Sequence, residues 1–201
     1  MRLGRAAGPV RAALPHAWRH VPRRFRVRSA YLRGLNRAFL AAGADPVSTG
    51  RMRLGHRLLL DLRSGTEWFA YYTGEFDDRR ITTAQRLLGG RGGAVVDAGA
   101  NIGFWSVPLA RHLARTAGRL FAVEPVPVNA SRLRENLRLN GVDDVADVFQ
   151  VALSDRPGHI RLALREDFAD DGAATGNAAV VIADGGDSRY DTVDVETVRL
   201  D

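Results

Sequence analysis

AVVDAGANIGFWS, residues 94–106, is the stretch that decides the fold. Val95 and Val96 form the β-branched end of a buried strand, and Asp97 closes it with a carboxylate. Gly99 and Gly103 then remove side chains where a ligand has to approach the backbone. Strand, glycine-punctuated turn and following helix make one wall of a cofactor pocket. A second apolar run, Leu120–Val123, ends on Glu124 and Pro125, with Glu124 placed 27 residues after Asp97. That separation suits a parallel strand, a crossover helix and a second parallel strand. Both carboxylates are therefore expected at carboxyl ends of neighbouring strands, where open α/β sheets bind their ligands.

A carboxylate in the place of Glu124 can accept hydrogen bonds from both hydroxyls of a ribose, which points to an adenosine-containing cofactor. Dinucleotide sites use G-x-G-x-x-G to turn backbone amides and a helix N-terminus toward a pyrophosphate. Here Asn101 stands where the second glycine belongs, and the spacing to Gly103 is two rather than three. A cofactor without phosphates fits this turn better. A nicotinamide cofactor is the rival reading, because Glu124 would serve its ribose equally.

Three blocks occur in order: VVDAGANIGFWS, FAVEPVPVNASRLRENLRLNG and VFQVALSDRPGHIRL. Together they resemble the FkbM-type S-adenosylmethionine-dependent methyltransferases, a class I Rossmann-like family, over Asp61–Asp201. The resemblance implies S-adenosyl-L-methionine as cofactor. It implies a turn of Asp97, Gly99, Asn101 and Gly103 around the methionine portion and Glu124, followed by Pro125, at the ribose. Ala152 and Leu153, at the end of the third strand, would border the adenine. The implied activity is O-methylation of a small-molecule or sugar hydroxyl.

Family members continue with a fourth parallel strand of the type I-K-x-D-x-E-G, whereas V-D-V-E-T-V-R-L-D at residues 193–201 aligns with the strand before it. The expected fold is thus α/β, a partial Rossmann-like methyltransferase sheet of strands 3-2-1 plus antiparallel additions. Its first strand becomes an edge open to self-association. The alternative function is a noncatalytic, truncated remnant or interaction protein that retains the cofactor half-site. Methyl transfer is an in-line displacement governed by proximity and orientation. No spacing singles out a base among His16, His20, His56, His112 and His159, so no catalytic residue is assigned.

The 201 residues are 45% hydrophobic and 26% charged, a composition that suits one α/β domain with an arm. With no Cys, disulfide frameworks, thiolate metal ligands and a Cys nucleophile are excluded. The net charge is +6, but it is unevenly spread: residues 1–44 hold ten Arg and no acid. From Asp45 onward nineteen Arg face 23 acidic residues, a net of −4, so the basicity belongs to the arm and nucleic acid is not expected as a partner. No apolar run approaches the roughly 18 residues of a membrane span, and Pro9, Pro15 and Pro22 break the N-terminus, so a cytoplasmic protein is expected.

Three regions are expected. Residues 1–28 form a basic, Pro/Arg-rich disordered arm; 29–92 a helix, a β-hairpin and a helical leader; and 93–201 an incomplete S-adenosylmethionine-binding domain. The hairpin strands are Arg51–Leu54 and Arg57–Leu62. Trp68, Tyr71 and Tyr72 read as core, at helical spacing. Asn129–Asn140 reads as a helix with Arg132, Arg134, Glu135 and Arg138 facing water. Val148–Leu153 is the third parallel strand, and beyond Gly158 the alternation of Ile160, Leu162 and Leu164 signals antiparallel strands. Glu166–Gly176 and Asp184–Asp191 read as mobile loops. Asp167, Asp170 and Asp171 lack metal-loop spacing, so no metal site is expected.

Overall fold

The computed structural model describes residues 25–164, 178–180 and 191–201. The arm before residue 25, most of the two acidic Gly-rich segments, and Asp167, Asp170 and Asp171 lie outside the described residues. The elements run α1 (Phe25–Ala41), β1 (Val47–Arg51), β2 (Arg57–Asp61), α2 (Gly65–Thr73), α3 (Asp78–Leu88), β3 (Ala94–Ala98), α4 (Ser106–Leu113), β4 (Arg119–Val123), α5 (Pro127–Leu139), β5 (Ala146–Phe149), β6 (Ala152–Leu153), β7 (Gly158–Leu164), β8 (Ala178–Val180) and β9 (Asp191–Val198).

The central sheet has the order β3-β4-β5 and is parallel throughout, pairing Asp97 with Ala122 and Val123 with Phe149. This is the 3-2-1 arrangement that the family resemblance implies. It arises because each strand returns through a helix, α4 and then α5. Among the described residues β3 pairs only with β4, and Val96 is 43% exposed, so β3 is an edge. A second sheet, β6-β9-β7-β8, is antiparallel at β7–β8 and β7–β9.

The third strand is shorter than its apolar run suggests. β5 stops at Phe149, and Ala152 and Leu153 form β6, which pairs parallel with Thr197 and Val198 of β9. Ala152 packs with Val126, Leu162 and Val195 in an apolar cluster apart from the main core. The two residues thus belong to the second sheet rather than to the end of the third parallel strand. The hairpin also shifts: β1 begins at Val47 and residues 52–56 make the turn, closed by Met52 N–H donating to His56 O (2.8 Å).

Within the leader, α2 packs against both β1 and β2. Ser64 caps α2 through Glu67 N–H, and Trp68, Tyr71 and Tyr72 are buried as core residues. Asn36 of α1 joins this helix to the leader: its amide donates to Leu62 O (2.6 Å) and its carbonyl accepts from Tyr72 Oη (3.3 Å).

The water-facing reading of α5 needs correction at two arginines. Arg132 runs inward to the fully buried Glu67 carboxylate, which it engages through both terminal nitrogens, and donates to Leu59 O (3.2 Å). Asp61 N–H donates to the same carboxylate (2.7 Å). Arg134 donates to Val148 O (3.1 Å), tying α5 to β5. A charged helical face looks solvated in sequence because its partners, 65 residues away in the case of Arg132, cannot be read from spacing.

Candidate functional site

The turn after β3 is built by hydrogen bonds to the end of β4. Gly99 N–H and Ala100 N–H both donate to Val123 O (2.9 and 3.0 Å), and Gly103 N–H donates to Ala100 O (2.9 Å). Asn101 has a φ of 51°, a left-handed conformation that Asn tolerates far better than most side chains. This accounts for Asn101 at a place where dinucleotide turns carry glycine. Its side-chain Oδ1 accepts from Ile102 N–H (2.7 Å) and locks the bend.

The two glycines have different tasks. At Gly99 φ is 79° and a Cβ would enter open space, so this backbone presents a bare face. At Gly103 a Cβ would lie 2.8 Å from Leu133 Cδ1 and 3.2 Å from Val107 Cγ2, so the turn must press closely on α5 and α4. Phe104 stacks on Phe76 (centroids 4.0 Å apart, 16° between planes), bracing the turn against the Gly74–Glu75–Phe76 segment.

Glu124 is buried at the end of β4. Its Oε2 accepts from Asn101 N–H (2.8 Å), and its Oε1 accepts from Val126 N–H (3.0 Å) and from the Asn129 amide (3.3 Å). Asp97 lies across the turn and accepts from the fully buried Ser106 hydroxyl (2.6 Å). Burial pushes both carboxyl groups above their ordinary range; hydrogen bonds oppose this, and the Asp97 charge raises Glu124 a little further. Pro125 is half-buried beside Glu124, and Ala152 reaches this end of the sheet through its contact with Val126. Asp97, Gly99, Asn101, Gly103, Glu124 and Pro125 therefore meet at one end of β3 and β4. Leu153 follows Ala152 in β6 and pairs with Val198 of the second sheet.

These residues suit S-adenosylmethionine. A carboxylate has about four lone-pair sites, and the three donors on Glu124 leave acceptor capacity for a hydroxyl. The open face of Gly99 gives a bulky group room to approach. Two carboxylates whose ionised forms are disfavoured by burial, and Glu124 also by the charge of Asp97, gain from a cationic ligand. An Asp97→Asn variant should therefore be more stable than the wild type at neutral pH, by about 1 kcal/mol. The raised pKa means that ionised Asp97 destabilises the fold above its titration range, so the advantage should fade as pH falls through the raised folded-state pKa and be gone below the ordinary 3.8. Denaturant midpoints at neutral and acid pH measure it, and equal midpoints at neutral pH would refute it.

A parallel β3-β4-β5 sheet with a glycine turn and a strand-end carboxylate defines the class of Rossmann-like, S-adenosylmethionine-dependent methyltransferase folds. Within it, residues 53–164 match the model of the TRM5/TYW2 methyltransferase domain, and the chain belongs to that family. Its cofactor is S-adenosylmethionine. The match supports this cofactor class without singling out the FkbM type.

No curated protein matches the chain. Among solved structures, Pyrococcus horikoshii TYW2 in complex with MeSAdo is similar at 23% identity (58% of this chain, 40% of that one, TM-score 0.43). The complex of aTrm5 and tRNALeu is similar at 16% (56% and 33%, TM-score 0.38). M. jannaschii tRNA m1G37 methyltransferase is similar at 15% (63% and 37%, TM-score 0.35). The chain thus spans 40% or less of the length of these relatives. The expectation that nucleic acid is an unlikely partner, drawn from the net charge of the body, is corrected by them: one is a complex with tRNALeu and another is named for a tRNA substrate. Summed charge is a weak guide to partners because it averages over a surface on which they are met locally.

The histidines lie away from the turn's hydrogen bonds. His56 is buried in the β1–β2 turn, His112 Nε2 lies 2.8 Å from Gly89 O, and His159 is exposed on β7. His16 and His20 fall outside the described residues. His56 is the residue whose importance the sequence did not disclose, since a turn His gives no sign of being buried.

Proposed function

We propose that this chain is the cofactor-binding part of an S-adenosylmethionine-dependent methyltransferase acting on RNA. The observation that carries the methyl-transfer reading is the meeting of Glu124, Asp97 and the bare Gly99 backbone at the ends of β3 and β4. RNA as acceptor is supported by the TRM5/TYW2 family and by the ten arginines and no acids of residues 1–44. The cytoplasm is the proposed compartment; among the described residues no helix is long and apolar enough to cross a membrane.

When bound, S-adenosylmethionine supplies an electrophilic methyl group on a sulfonium sulfur. Glu124 orients the ribose by accepting a hydrogen bond from one of its hydroxyls, and Asp97, held by Ser106, favours the cationic end. Gly103, pressed against Leu133, keeps the turn in place, so the chain contributes orientation and proximity. Ala152 and Leu153 remain proposed neighbours of the adenine, through the Val126 contact of Ala152.

Glu124→Gln should weaken S-adenosylmethionine binding roughly 10- to 100-fold, the loss of a charge-assisted hydrogen-bond acceptor. Calorimetric titration measures it, with a thermal melt confirming that the variant is folded; equal affinity would remove Glu124 from the site. Transfer of labelled methyl to an RNA pool tests the acceptor. The narrower reading, O-methylation of a small-molecule or sugar hydroxyl in the FkbM manner, rests on the EPVP and ALSD blocks. Label appearing in small hydroxyl acceptors and not in RNA would select it.

A further inference from the structure

A groove of about 390 Å³ runs between α1 and α2, outside the turn and ahead of the family-matched residues for its α1 wall. Leu40, Leu62 and Trp68 form its apolar floor, and Arg33, Arg37 and Arg63 stand along it. No carboxylate lines it. Arg33 and Arg37 lie one helical turn apart, so their side chains project from the same face of α1. Both are exposed, and among the described residues neither has a hydrogen-bond or ion-pair partner. Arg63 is oriented by Asp61, which receives its Nε and Nη2. Asn36 bonds α1 to Leu62 and Tyr72, so the groove has a braced wall rather than a loose helix.

Three guanidinium groups brought together by α1 and the loop before α2, one of them, Arg63, paired with Asp61 outside the lining, leave a local charge of about +2. Arg33 and Arg37 are also the last two of the ten arginines in an acid-free segment, so the groove is continuous in sequence with a strongly basic stretch. Planar guanidinium groups match phosphate oxygens in paired hydrogen bonds, and the apolar floor accommodates sugar faces between phosphates.

We infer that the α1–α2 groove is a phosphate-backbone docking surface for RNA, with Arg33, Arg37 and Arg63 as its contacts. The choice of RNA among polyanions rests on the acceptor proposed above. The groove holds the substrate strand away from the methyl-transfer turn and supplies affinity rather than sequence choice.

The test uses the full chain and a fluorescently labelled single-stranded RNA, with anisotropy measured across a salt series. An Arg33→Gln/Arg37→Gln variant should bind more weakly, and the slope of log affinity against log salt should fall by about 1.4, the share of two phosphates on a single strand. Arg63→Gln added to it should lower the slope again, while calorimetric S-adenosylmethionine affinity stays unchanged. Unaltered RNA affinity and slope would overturn the surface and leave the acceptor proposal intact. A fall in RNA binding without labelled methyl entering RNA would support the surface and overturn the acceptor. Failure of the wild-type chain to bind RNA would overturn both. Tighter binding to anionic phospholipid vesicles than to RNA, dependent on Arg33 and Arg37, would assign the groove to a membrane surface and overturn it as an RNA site.

Discussion

Glu67→Gln is expected to lower the unfolding free energy by about 3–5 kcal/mol, the usual effect of removing one partner of a buried ion pair. Glu67 is fully buried and accepts hydrogen bonds from Arg132 and from Asp61 N–H, while Arg132 also donates to Leu59 O. One cluster thereby joins β2, α2 and α5. Gln keeps an oxygen for Asp61 N–H but leaves the Arg132 guanidinium, with only 14% of its side chain exposed, without a counter-charge. Most of the expected loss comes from that stranded charge. Glu67→Met combined with Arg132→Leu should therefore recover part of the stability, and only part, since Asp61 N–H would remain unmatched. Denaturant unfolding with a constant slope checks both variants. A loss below about 1 kcal/mol for Glu67→Gln, the range of exposed pairs, would show that the pair is solvated.

Acidification between pH 6.5 and 4 should destabilise the fold by about 3 kcal/mol through His56 alone. Its ring is 2% exposed, and neither ring nitrogen has a hydrogen-bond partner. Burial, and then the nearby Arg111 guanidinium, lowers its pKa from 6.5 to about 4. Arg111 donates to Leu54 O (3.2 Å) in the same turn, so this charge is held in place. Above pH 6.5 His56 is neutral in folded and unfolded chains and stability does not depend on it. Below 6.5 the unfolded chain takes up a proton that the folded chain refuses until pH approaches 4, so stability declines through that window. Asp97 and Glu124, with raised pKa values, act in the opposite sense as pH falls. The His56 share is therefore read as the difference between wild type and His56→Leu. The variant should lack the decline and at pH 7 be as stable as the wild type or more so, because it removes two unpartnered buried nitrogens. Parallel pH profiles for the two proteins would sink the assignment.

The cofactor turn was legible because its physics is local. β-branched residues before a carboxylate, two glycines at positive φ and an Asn that tolerates the left-handed region are properties of neighbouring residues. The 27-residue interval to Glu124 added only chain geometry, which a crossover helix nearly dictates. The buried aromatics of α2 were legible for the same reason, through helical spacing. Ala152 and Leu153 were misread because an apolar run reports burial and not which sheet provides it; pairing with Thr197 and Val198, 45 residues on, decided the matter. Nucleic acid was dismissed on a net charge that hides where arginines gather.

By itself, then, the sequence determined a parallel βαβ unit and the glycine turn that opens it, since short-range sterics and a single crossover suffice for these, while the 3-2-1 strand order came through the family resemblance. Tertiary structure alone decided that Arg132 turns inward to Glu67, that His56 is sealed between its turn and Arg111, and that Arg33, Arg37 and Arg63 face one groove. Each of these depends on which distant segment supplies the neighbour, and on whether water or protein surrounds a charge, which spacing along the chain does not encode.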